Sequence, residues 1–438
     1  MKQIFSFFLL FCCCLSANAQ YTLDIEVVNP SNKSKFDQPV VVSLNEFNNI
    51  NSALVTFNGE EIPCQLDDIN LDETFDELCF LVDLKGKERK TYQVTLSQEG
   101  EPRIYPARVF AEMLIRNDKV KEKNKHNNFI SSITARGDCD NPYNILHHHG
   151  VDFESELNGI RIYFDKRQTL DLYGKYHKRL ELKETQFYTS PEQKTKEYGD
   201  DILWVGNTFG LGAFRGWNGE SSTMVEPVKN RTQRIIAYGP LRTIVEIIDQ
   251  GWEPPMQNES NLTSSNTKKP TLNMTIRYTQ YAGHRDTDVD ITFNKDVSNY
   301  QFSTGLIDIK GSEEFSDKKG LRGCWGTDFP AGDTINWKRE TVGLGIYIPQ
   351  DNIVKEIPAN SNRDEQGNDY TFVIKTSNNK HAKTTGKSLS YKVAYCSDNE
   401  NFGMHTSKEW FKWLQEWKKD ITTPIIIHLD KKSKKASK

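Results

Sequence analysis

The stretch from Asp138 to Glu156 holds the densest group of side chains able to do chemistry. It contains His147, His148 and His149 in a row, three of the nine histidines of the chain. In an extended backbone, neighbouring side chains point to opposite faces, so His147 and His149 would share one face and His148 would point away. Two imidazoles on one face suit a divalent metal ion or proton transfer near neutral pH. We therefore predict a functional role for His147 and His149, against the alternative of a histidine run on a solvated loop.

The next two segments alternate polar and apolar residues and would bring further groups to the same place. Arg161 and Tyr163 alternate with apolar residues as far as Phe164, which predicts a strand with the polar pair on one face. Tyr173 and Lys175 repeat the alternation on the following segment. Arginine and tyrosine beside histidines can form a catalytic cleft, although each residue taken alone also fits an ordinary surface position.

Other places carry side chains suited to a sugar ligand. His284 and Arg285 stand in a turn between two predicted strands, and catalytic groups on a β scaffold often lie at strand ends. Glycine-containing segments predicted as loops carry Arg215, Trp217 and Trp325. A tryptophan next to glycine in a loop can expose its ring to the C–H faces of a sugar, and the alternative is a turn packed against the core.

The sequence lacks the motifs of several enzyme classes. There is no G-x-S-x-G, no P-loop and no H-E-x-x-H, which argues against esterases of the α/β-hydrolase type, nucleotide enzymes and zincins. Carboxylate-pair glycosidase chemistry leaves no spacing signature, so a glycoside hydrolase stays open. The formal net charge of −4 argues against non-specific nucleic-acid binding.

No C-x-x-C occurs, which argues against a thiolate zinc site, and the five scattered cysteines that follow the predicted signal peptide are an odd number, which argues against a regular disulfide framework. Cys64 and Cys79 are the two that could pair in an oxidising compartment. Cys139, Cys324 and Cys396 are expected as buried free thiols.

The first nineteen residues predict a signal peptide. Lys2 provides a positive start, Ile4–Leu15 is apolar, and Ala17–Ala19 forms a small-residue cleavage site. The mature chain would begin near Gln20 and be periplasmic or secreted. A lipid anchor on one of the cysteines at 12–14 ranks second, because no small residue precedes them. No later stretch approaches the ~20 apolar residues of a membrane-spanning helix, so no integral membrane segment is expected.

Short alternating or apolar segments separated by turn signals predict a mainly β protein. Residues 20–102 are predicted as a small N-terminal β-sandwich, with a hairpin turn at Asn58-Gly59. Residues 103–430 are predicted as one large antiparallel sandwich, with strands at Gly159–Phe164, Thr169–Tyr173, Arg234–Tyr238, Arg242–Ile248, Leu272–Tyr281, Thr287–Phe293, Val342–Ile348, Tyr370–Lys375 and Ser388–Tyr395.

One helix is predicted near the C-terminus. Thr406 and Glu409 form the pattern of a capping box. The helical spacing of the apolar residues after them makes a stripe that faces a core: Trp410, Trp413, Leu414 and Trp417. Residues 431–438 are predicted as a basic disordered tail.

Several segments together resemble a family of secreted bacterial proteins, long described only as a domain of unknown function, whose characterised activity is that of the ulvan oligosaccharide dehydratase. The resemblance covers nearly the whole mature chain. The segments that carry it are His147–Gly150, Phe153–Leu157, Arg161–Lys166, Asp171–Lys175, Tyr198–Asp201 and Tyr281–Asp286.

The resemblance implies a supersandwich of the galactose-mutarotase type. It also implies a carbon–oxygen lyase that removes water from the non-reducing-end uronic acid of an acidic oligosaccharide, which gives a 4,5-unsaturated sugar. The chemistry of that reaction assigns proton transfer to five residues (His147, His149, Tyr163, Tyr173 and His284) and substrate binding to six (Arg161, Lys175, Arg215, Trp217, Arg285 and Trp325). Two alternatives stay open: a glycoside hydrolase or polysaccharide lyase, and a non-catalytic carbohydrate-binding protein. No cofactor is certain, and a divalent metal ion on His147 and His149 stays open.

Overall fold

The computed structural model describes residues 19–255, 271–332, 334–335, 337–359, 368–376 and 386–436, with side chains from Gln20 to Asp430. The predicted signal peptide lies outside the described residues except for Ala19. Strands form most of the described structure. The helices among these residues are α1 (Leu182–Thr185), α2 (Pro191–Thr195) and α3 (Ser407–Ile421), with 3₁₀ turns at Pro142–Ile145 and Gln350–Asn352.

The strands are numbered β1 to β27 along the chain. Those of the first part are β1 (Ala19–Val28), β2 (Lys35–Ser43), β3 (Ser52–Phe57), β4 (Glu60–Ile62), β5 (Cys64–Asp67), β6 (Glu77–Leu84) and β7 (Arg89–Ser97). Those of the large unit, followed by the last strand, are β8 (Val109–Glu112), β9 (Ser132–Arg136), β10 (Gly150–Ser155), β11 (Gly159–Tyr163), β12 (Leu170–Gly174), β13 (Asp200–Asp201), β14 (Arg215–Trp217), β15 (Ser222–Thr223), β16 (Asn230–Tyr238), β17 (Arg242–Trp252), β18 (Leu272–Tyr281), β19 (Asp286–Phe293), β20 (Phe302–Ile307), β21 (Glu313–Ser316), β22 (Leu321–Asp328), β23 (Glu340–Tyr347), β24 (Ile353–Ile357), β25 (Asp369–Ile374), β26 (Ser388–Ser397) and β27 (Ile426–Ala436).

The N-terminal β-sandwich consists of sheet I (β27-β1-β7-β3-β4) and sheet II (β2-β6-β5). Leu23, Ile25 and Val27 alternate along β1 and are buried in its core, as the period-two pattern predicts. The turn at Asn58-Gly59 joins β3 to β4 with positive φ at both residues, 52° and 86°. Asn-Gly adopts these angles at little cost, which confirms the predicted hairpin.

The last strand differs from the prediction. The backbone of β27 pairs antiparallel with β1, with Ile427 opposite Val27 and Leu429 opposite Ile25. Residues 431–436, predicted as a disordered tail, therefore continue a strand, and residues 426–430 belong to the N-terminal sandwich rather than the large unit. The physical reason is that β1 would otherwise leave one row of backbone groups unpaired at the edge of sheet I.

The large unit is a sandwich with one continuous core. Sheet III has nine strands (β21-β22-β23-β26-β19-β18-β17-β16-β9), and it packs against sheet IV (β13-β12-β11-β10-β8) and sheet V (β15-β14-β20-β25-β24). Core residues come from all three sheets, for example Ile276 from sheet III, Phe153 from sheet IV and Phe372 from sheet V. This architecture confirms the predicted fold class: mainly β, in antiparallel sheets, with a C-terminal helix.

Every strand predicted in the large unit is present, but several strands that carry buried polar or small residues were missed, among them β10, β14, β20 and β22. All six residues of β10 are buried, including Asp152 and Glu154, so its sequence lacks the apolar alternation that marks a half-buried strand. Strand β20 is also buried throughout, and β22 runs through Trp325, which was predicted to lie in a loop.

The proposed pairing of Cys64 with Cys79 is wrong, because both thiols are free. In the register of β5 and β6, Cys64 lies opposite Phe80 and Cys79 lies opposite Gln65. In this register the two cysteines are offset by one residue, so their side chains point to opposite faces of sheet II. Cys324 and Cys396 are buried as predicted, and Cys139 is half-buried.

Helix α3 covers one end of sheet III as predicted. Thr406 accepts a hydrogen bond from the backbone N–H of Glu409 and so caps the helix. Trp410 and Leu414 are fully buried, and the indole N–H of Trp410 donates to the carbonyl of Leu344 at 3.0 Å. Gly343 permits this close packing, since a Cβ atom there would lie 2.8 Å from the Trp410 ring.

Replacing Trp410 with alanine should therefore lower the free energy of unfolding by about 3–5 kcal/mol, because it empties a closely packed site and removes a buried hydrogen bond. Urea unfolding followed by circular dichroism measures this loss. Trp413→Ala is the matched control, since Trp413 stacks on Trp410 but is only half-buried. Equal losses for the two variants would contradict the packing described for α3.

Candidate active site

A row of charged residues crosses the outer face of sheet IV. The strand register places Glu112 opposite Asp152, Asp152 opposite Arg161, and Arg161 opposite Asp171. Residues directly opposite one another point to the same face, and alternate residues such as Phe153 face the core. All four charged side chains are nevertheless buried, because the segment that contains α1 and α2 covers this face. The row is therefore a buried polar layer rather than a solvated surface.

Arg161 stands at the centre of this layer. Its Nη2 donates to Asp171 at 2.6 Å and to Asp201 at 2.9 Å, and its Nε donates to Asp171 at 3.0 Å. Its guanidinium also lies 4.2 Å from the centre of the Phe187 ring. Its third nitrogen, Nη1, is buried and has no hydrogen-bond partner among the described residues. Nη1 is therefore the guanidinium nitrogen that the described residues leave without a hydrogen bond, and it is buried rather than open to either cavity described below.

Tyr163 lies beside Arg161, as the alternation predicts. Its hydroxyl donates to Asp171 at 3.0 Å. Burial raises the pKa of Tyr163, and the negative charge of Asp171 adds to this while Arg161 opposes it. The phenol therefore keeps its proton at neutral pH. The ring of Tyr163 stacks on His149 with centroids 5.8 Å apart, and the guanidinium carbon of Arg167 lies 4.6 Å from the centre of the Tyr163 ring.

The histidine run does not have the extended backbone assumed from the sequence. It forms a turn in which His149 has a φ of 74°, so alternation does not apply. His148, expected to point away, is completely buried near Glu112 and Asp152. The extended backbone that left a metal ion on His147 and His149 open is therefore absent, and His148 is the histidine that lies beside two carboxylates.

His147 and His149 pack against aromatic rings instead. His147 stacks on His126 with centroids 3.6 Å apart and meets the edge of Tyr188 at 5.3 Å. His149 meets the edge of Tyr143 at 5.3 Å. Burial lowers the pKa of both to about 4, with His126 contributing for His147 and Arg161 for His149. Both imidazoles are thus neutral near pH 7.

Two cavities are lined by residues whose rings contact His147, His149 or Tyr163. One of about 470 Å³ is lined by Tyr143 and Arg167 together with charged residues such as Arg231. A second of about 360 Å³ is lined by Tyr188 and Trp337. The sequence reasoning missed Tyr143, Arg167 and Tyr188 as site residues. Tyr143 lies within the polar stretch singled out by composition, whereas nothing in the local pattern marks Arg167 or Tyr188.

Tyr173 and Lys175 lie on the same face of sheet IV as Arg161, but their polar atoms form hydrogen bonds to other groups of the protein. The Tyr173 hydroxyl bonds to Glu181 at 3.0 Å and donates to the Gly199 carbonyl at 2.8 Å. Lys175 donates to Glu154 at 2.5 Å and to two backbone carbonyls. Both are completely buried and their polar atoms are already bonded to the protein, so we do not keep them as candidates for contact with a substrate.

His284 and Arg285 lie at the opposite end of β10 from His149. The hydroxyl of Ser155, the last residue of β10, donates to the carbonyl of His284 at 2.8 Å. Five residues of strand separate Ser155 from the start of β10, a distance of roughly 16 Å. The Arg285 side chain is buried and binds Glu400 at 2.8 Å. Neither residue therefore joins the cluster around Arg161.

Arg215, Trp217 and Trp325 also lie elsewhere. Arg215 and Trp217 belong to the buried strand β14, and Arg215 donates to the carbonyls of Arg167 and Thr208. Trp325 lies on β22 and packs with the residues under α3. The expectation of loops with exposed rings is wrong for both tryptophans, because each is part of a strand.

Comparison with known proteins places the chain in a family. A family model described as "Domain of unknown function (DUF4861)" matches residues 27–427. The chain belongs to this family. The match agrees with the resemblance at the level of a family of unknown function that spans most of the chain. No protein of curated function matches the sequence.

Solved structures with similar folds share little sequence with this chain. A protein of glycosyl hydrolase family 38 from Enterococcus faecalis has a TM-score of 0.42 at 9% identity, over 95% of this chain and 48% of that chain. An α-mannosidase from Enterococcus faecalis has a TM-score of 0.41 at 10% identity, over 93% and 46%. A protein from Klebsiella pneumoniae described as a candidate aldose 1-epimerase has a TM-score of 0.32 at 10% identity, over 71% and 95%.

The chain spans about half the length of the two Enterococcus faecalis structures. At these scores the likeness assigns no activity to this chain. Within the described residues, no helix has both the length and the apolar character needed to cross a membrane.

His284 has a charge state that can be tested. Its Nδ1 lies 3.1 Å from Asp286 and its Nε2 lies 2.8 Å from the carbonyl of Asp37, so both nitrogens face acceptors. Burial lowers its pKa, but Asp286 and the Asp37 carbonyl outweigh this and raise it, although Lys392 opposes them. The imidazolium thus links the large unit to the N-terminal sandwich.

A raised pKa in the folded state stabilises the protein below the unfolded pKa of about 6.5, and the stabilisation is lost as pH rises through the folded pKa. His284→Gln should therefore lower the melting temperature more at pH 5.5 than at pH 8.5. Differential scanning calorimetry at both pH values measures the difference. The exposed His428→Gln is the control, and an equal loss at both pH values in His284→Gln would contradict a charged imidazole.

Proposed function

We propose that this protein is an exported carbon–oxygen lyase that removes water from the non-reducing-end uronic acid of ulvan-type oligosaccharides. The observation that carries the proposal is the free, buried Nη1 of Arg161 beside His149 and Tyr163. The resemblance of the histidine, arginine and tyrosine segments to the ulvan oligosaccharide dehydratase family supports the same reaction. Export rests on the signal peptide predicted from residues 1–19.

The reaction needs three groups. A base takes the proton from C5, the electrons of that C–H bond form the C4–C5 double bond, and the C4–O4 bond breaks. An acid protonates O4 so that it leaves as water. A cation must also stabilise the charge that develops on the carboxylate at C5, and preorganised electrostatic groups of this kind supply much of the rate in many enzymes.

Arg161 fits the carboxylate-binding role. Asp171 and Asp201 fix its orientation through Nε and Nη2, and Nη1 is left for the uronate. Burial and the proximity of Asp171 raise the pKa of Asp201 well above its usual value, against the opposing effect of Arg161. A protonated Asp201 would leave the guanidinium more of its positive charge. Charge-assisted hydrogen bonds to a carboxylate are about twice as strong as neutral ones.

His149 and Tyr163 fit the roles of base and acid. The Nδ1 of His149 is buried and has no hydrogen-bond partner among the described residues, and its ring stacks on Tyr163, so we assign it the role of base toward a sugar that enters from the cavity lined by Tyr143 and Arg167. Burial raises the pKa of Tyr163, so its phenol is protonated at neutral pH, and we assign it the role of the acid that protonates O4. The cavity beyond Tyr143 and Arg167 offers room for the remaining sugar units.

Replacing Arg161 with lysine, His149 with glutamine or Tyr163 with phenylalanine should each lower kcat/KM by about 10²–10⁴-fold, the usual contribution of a positioned acid, base or electrostatic group. The assay uses oligosaccharides with a saturated uronic acid at the non-reducing end. It follows the ultraviolet absorbance of the unsaturated product and its mass, which is lower by one water. Tyr238→Phe, at a half-exposed tyrosine outside the site, is the control.

The mass of the product separates the proposal from its alternatives. Shorter chains would identify a glycoside hydrolase or a polysaccharide lyase. Bound but unchanged sugar after long incubation would identify a carbohydrate-binding protein. If ulvan-type and pectin-type oligosaccharides all remain saturated and unchanged in mass, the dehydratase proposal fails.

A further inference from the structure

Three residues at one end of the charged row form a compact group. Glu112 lies on β8, Asp152 on β10, and His148 on the turn that enters β10. The Nε2 of His148 is 3.4 Å from a carboxylate oxygen of Asp152 and 3.9 Å from one of Glu112. One ligand atom from each residue lies within 4.8 Å of the other two. We call these three residues the Glu-His-Asp cluster.

The Glu-His-Asp cluster is buried without internal hydrogen bonds. The three side chains are 2%, 0% and 0% exposed. Among the described residues, all four carboxylate oxygens and both imidazole nitrogens of the cluster lack a hydrogen-bond partner. Leaving one buried polar group unsatisfied already costs about 1–3 kcal/mol, and a buried unpaired charge costs more. Six such atoms in one place therefore point to a ligand that satisfies them together.

Neighbouring cations are already engaged with other carboxylates. Arg161 binds Asp171 and Asp201, and Lys175 binds Glu154. A proton shared between Glu112 and Asp152 would produce a hydrogen bond between their carboxyl oxygens, and none exists. Lys183 acts on Glu112 electrostatically but makes no hydrogen bond to it, so the described residues give the cluster no direct partner.

We propose that Glu112, His148 and Asp152 bind one divalent transition-metal ion. A dication balances the two carboxylates, and an imidazole with two carboxylates is a donor set suited to Zn²⁺ or Mn²⁺. Calcium and magnesium prefer sites made only of oxygen atoms. Donor atoms about 2.0–2.2 Å from a tetrahedral zinc lie roughly 3.3–3.6 Å apart. The separation of 3.4 Å lies in this range, and that of 3.9 Å exceeds it by a few tenths of an ångström.

The ion would tie β8, β10 and the histidine turn together, one strand away from Arg161. By binding His148, the ion would fix the turn and would therefore also fix the positions of the neighbouring residues His147 and His149. The Nε2 of His147 is also buried and has no hydrogen-bond partner among the described residues, but His147 lies outside the group whose ligand atoms are within 4.8 Å of one another. This inference concerns metal binding and stands whichever reaction the protein catalyses.

The test uses the full chain and measures bound metal. Wild-type protein is incubated with Zn²⁺ or Mn²⁺, desalted and analysed by inductively coupled plasma mass spectrometry. It should hold about one equivalent. Asp152→Asn and Glu112→Gln keep the shape of each side chain and should hold less than a tenth of the wild-type amount. The control His405→Gln removes an exposed histidine that pairs with Asp398, an alternative place for adventitious metal, and should bind like wild type.

Thermal unfolding gives a second readout that does not depend on the variants folding. Removing the metal with a chelator should lower the melting temperature of wild type by about 5 °C, and Zn²⁺ or Mn²⁺ but not Ca²⁺ or Mg²⁺ should restore it. Cobalt added in place of the native ion should give a visible absorption band in wild type that Asp152→Asn lacks.

Three results would overturn the proposal. The first is wild-type protein that takes up no metal and shows no thermal shift with Zn²⁺ or Mn²⁺. The second is full metal content in Asp152→Asn together with its loss in His405→Gln, which would identify a surface site. The third is stabilisation by Ca²⁺ or Mg²⁺ alone, which would exclude the transition-metal class.

Discussion

Charged side chains are buried on the outer face of sheet IV, and the free-energy cost of burying them determines how the neighbouring segments pack. A strand places alternate residues on this face whether or not water reaches it, and here the segment with α1 and α2 covers it. Each charge therefore needs a partner. Glu154 illustrates the solution, because it binds Lys175 and accepts backbone N–H groups of Glu181 and Leu182. The same contacts that neutralise the charge hold the covering segment in place.

The candidate site follows from this arrangement. Arg161 is oriented by two carboxylates, so that its remaining nitrogen is fixed before any ligand arrives. Such preorganisation avoids the loss of side-chain entropy on binding that a flexible surface arginine would incur. The covering segment also supplies Phe187 and Tyr188, whose rings lie against the guanidinium. Fold and site thus depend on one buried polar layer.

Much of the fold could be predicted from the sequence, because alternation is a local signal. It correctly placed Arg161 and Tyr163 on one face of β11. Alternation does not reveal whether a face is open or covered, and this is why Tyr173 and Lys175 were predicted to contact a ligand although both are sealed in the interior. The direction of His148 depends on a turn with positive φ at the next residue, which no periodic pattern encodes.

Strand β27 follows the whole large unit in the chain, yet it completes the sheet that contains β1. During synthesis, one edge of β1 therefore stays without its neighbour until everything between residues 29 and 425 has been made. An open edge of this kind can pair with a second chain. The N-terminal sandwich is thus completed only once β27 has been made, and until then the open edge of β1 is a place where two nascent chains could pair.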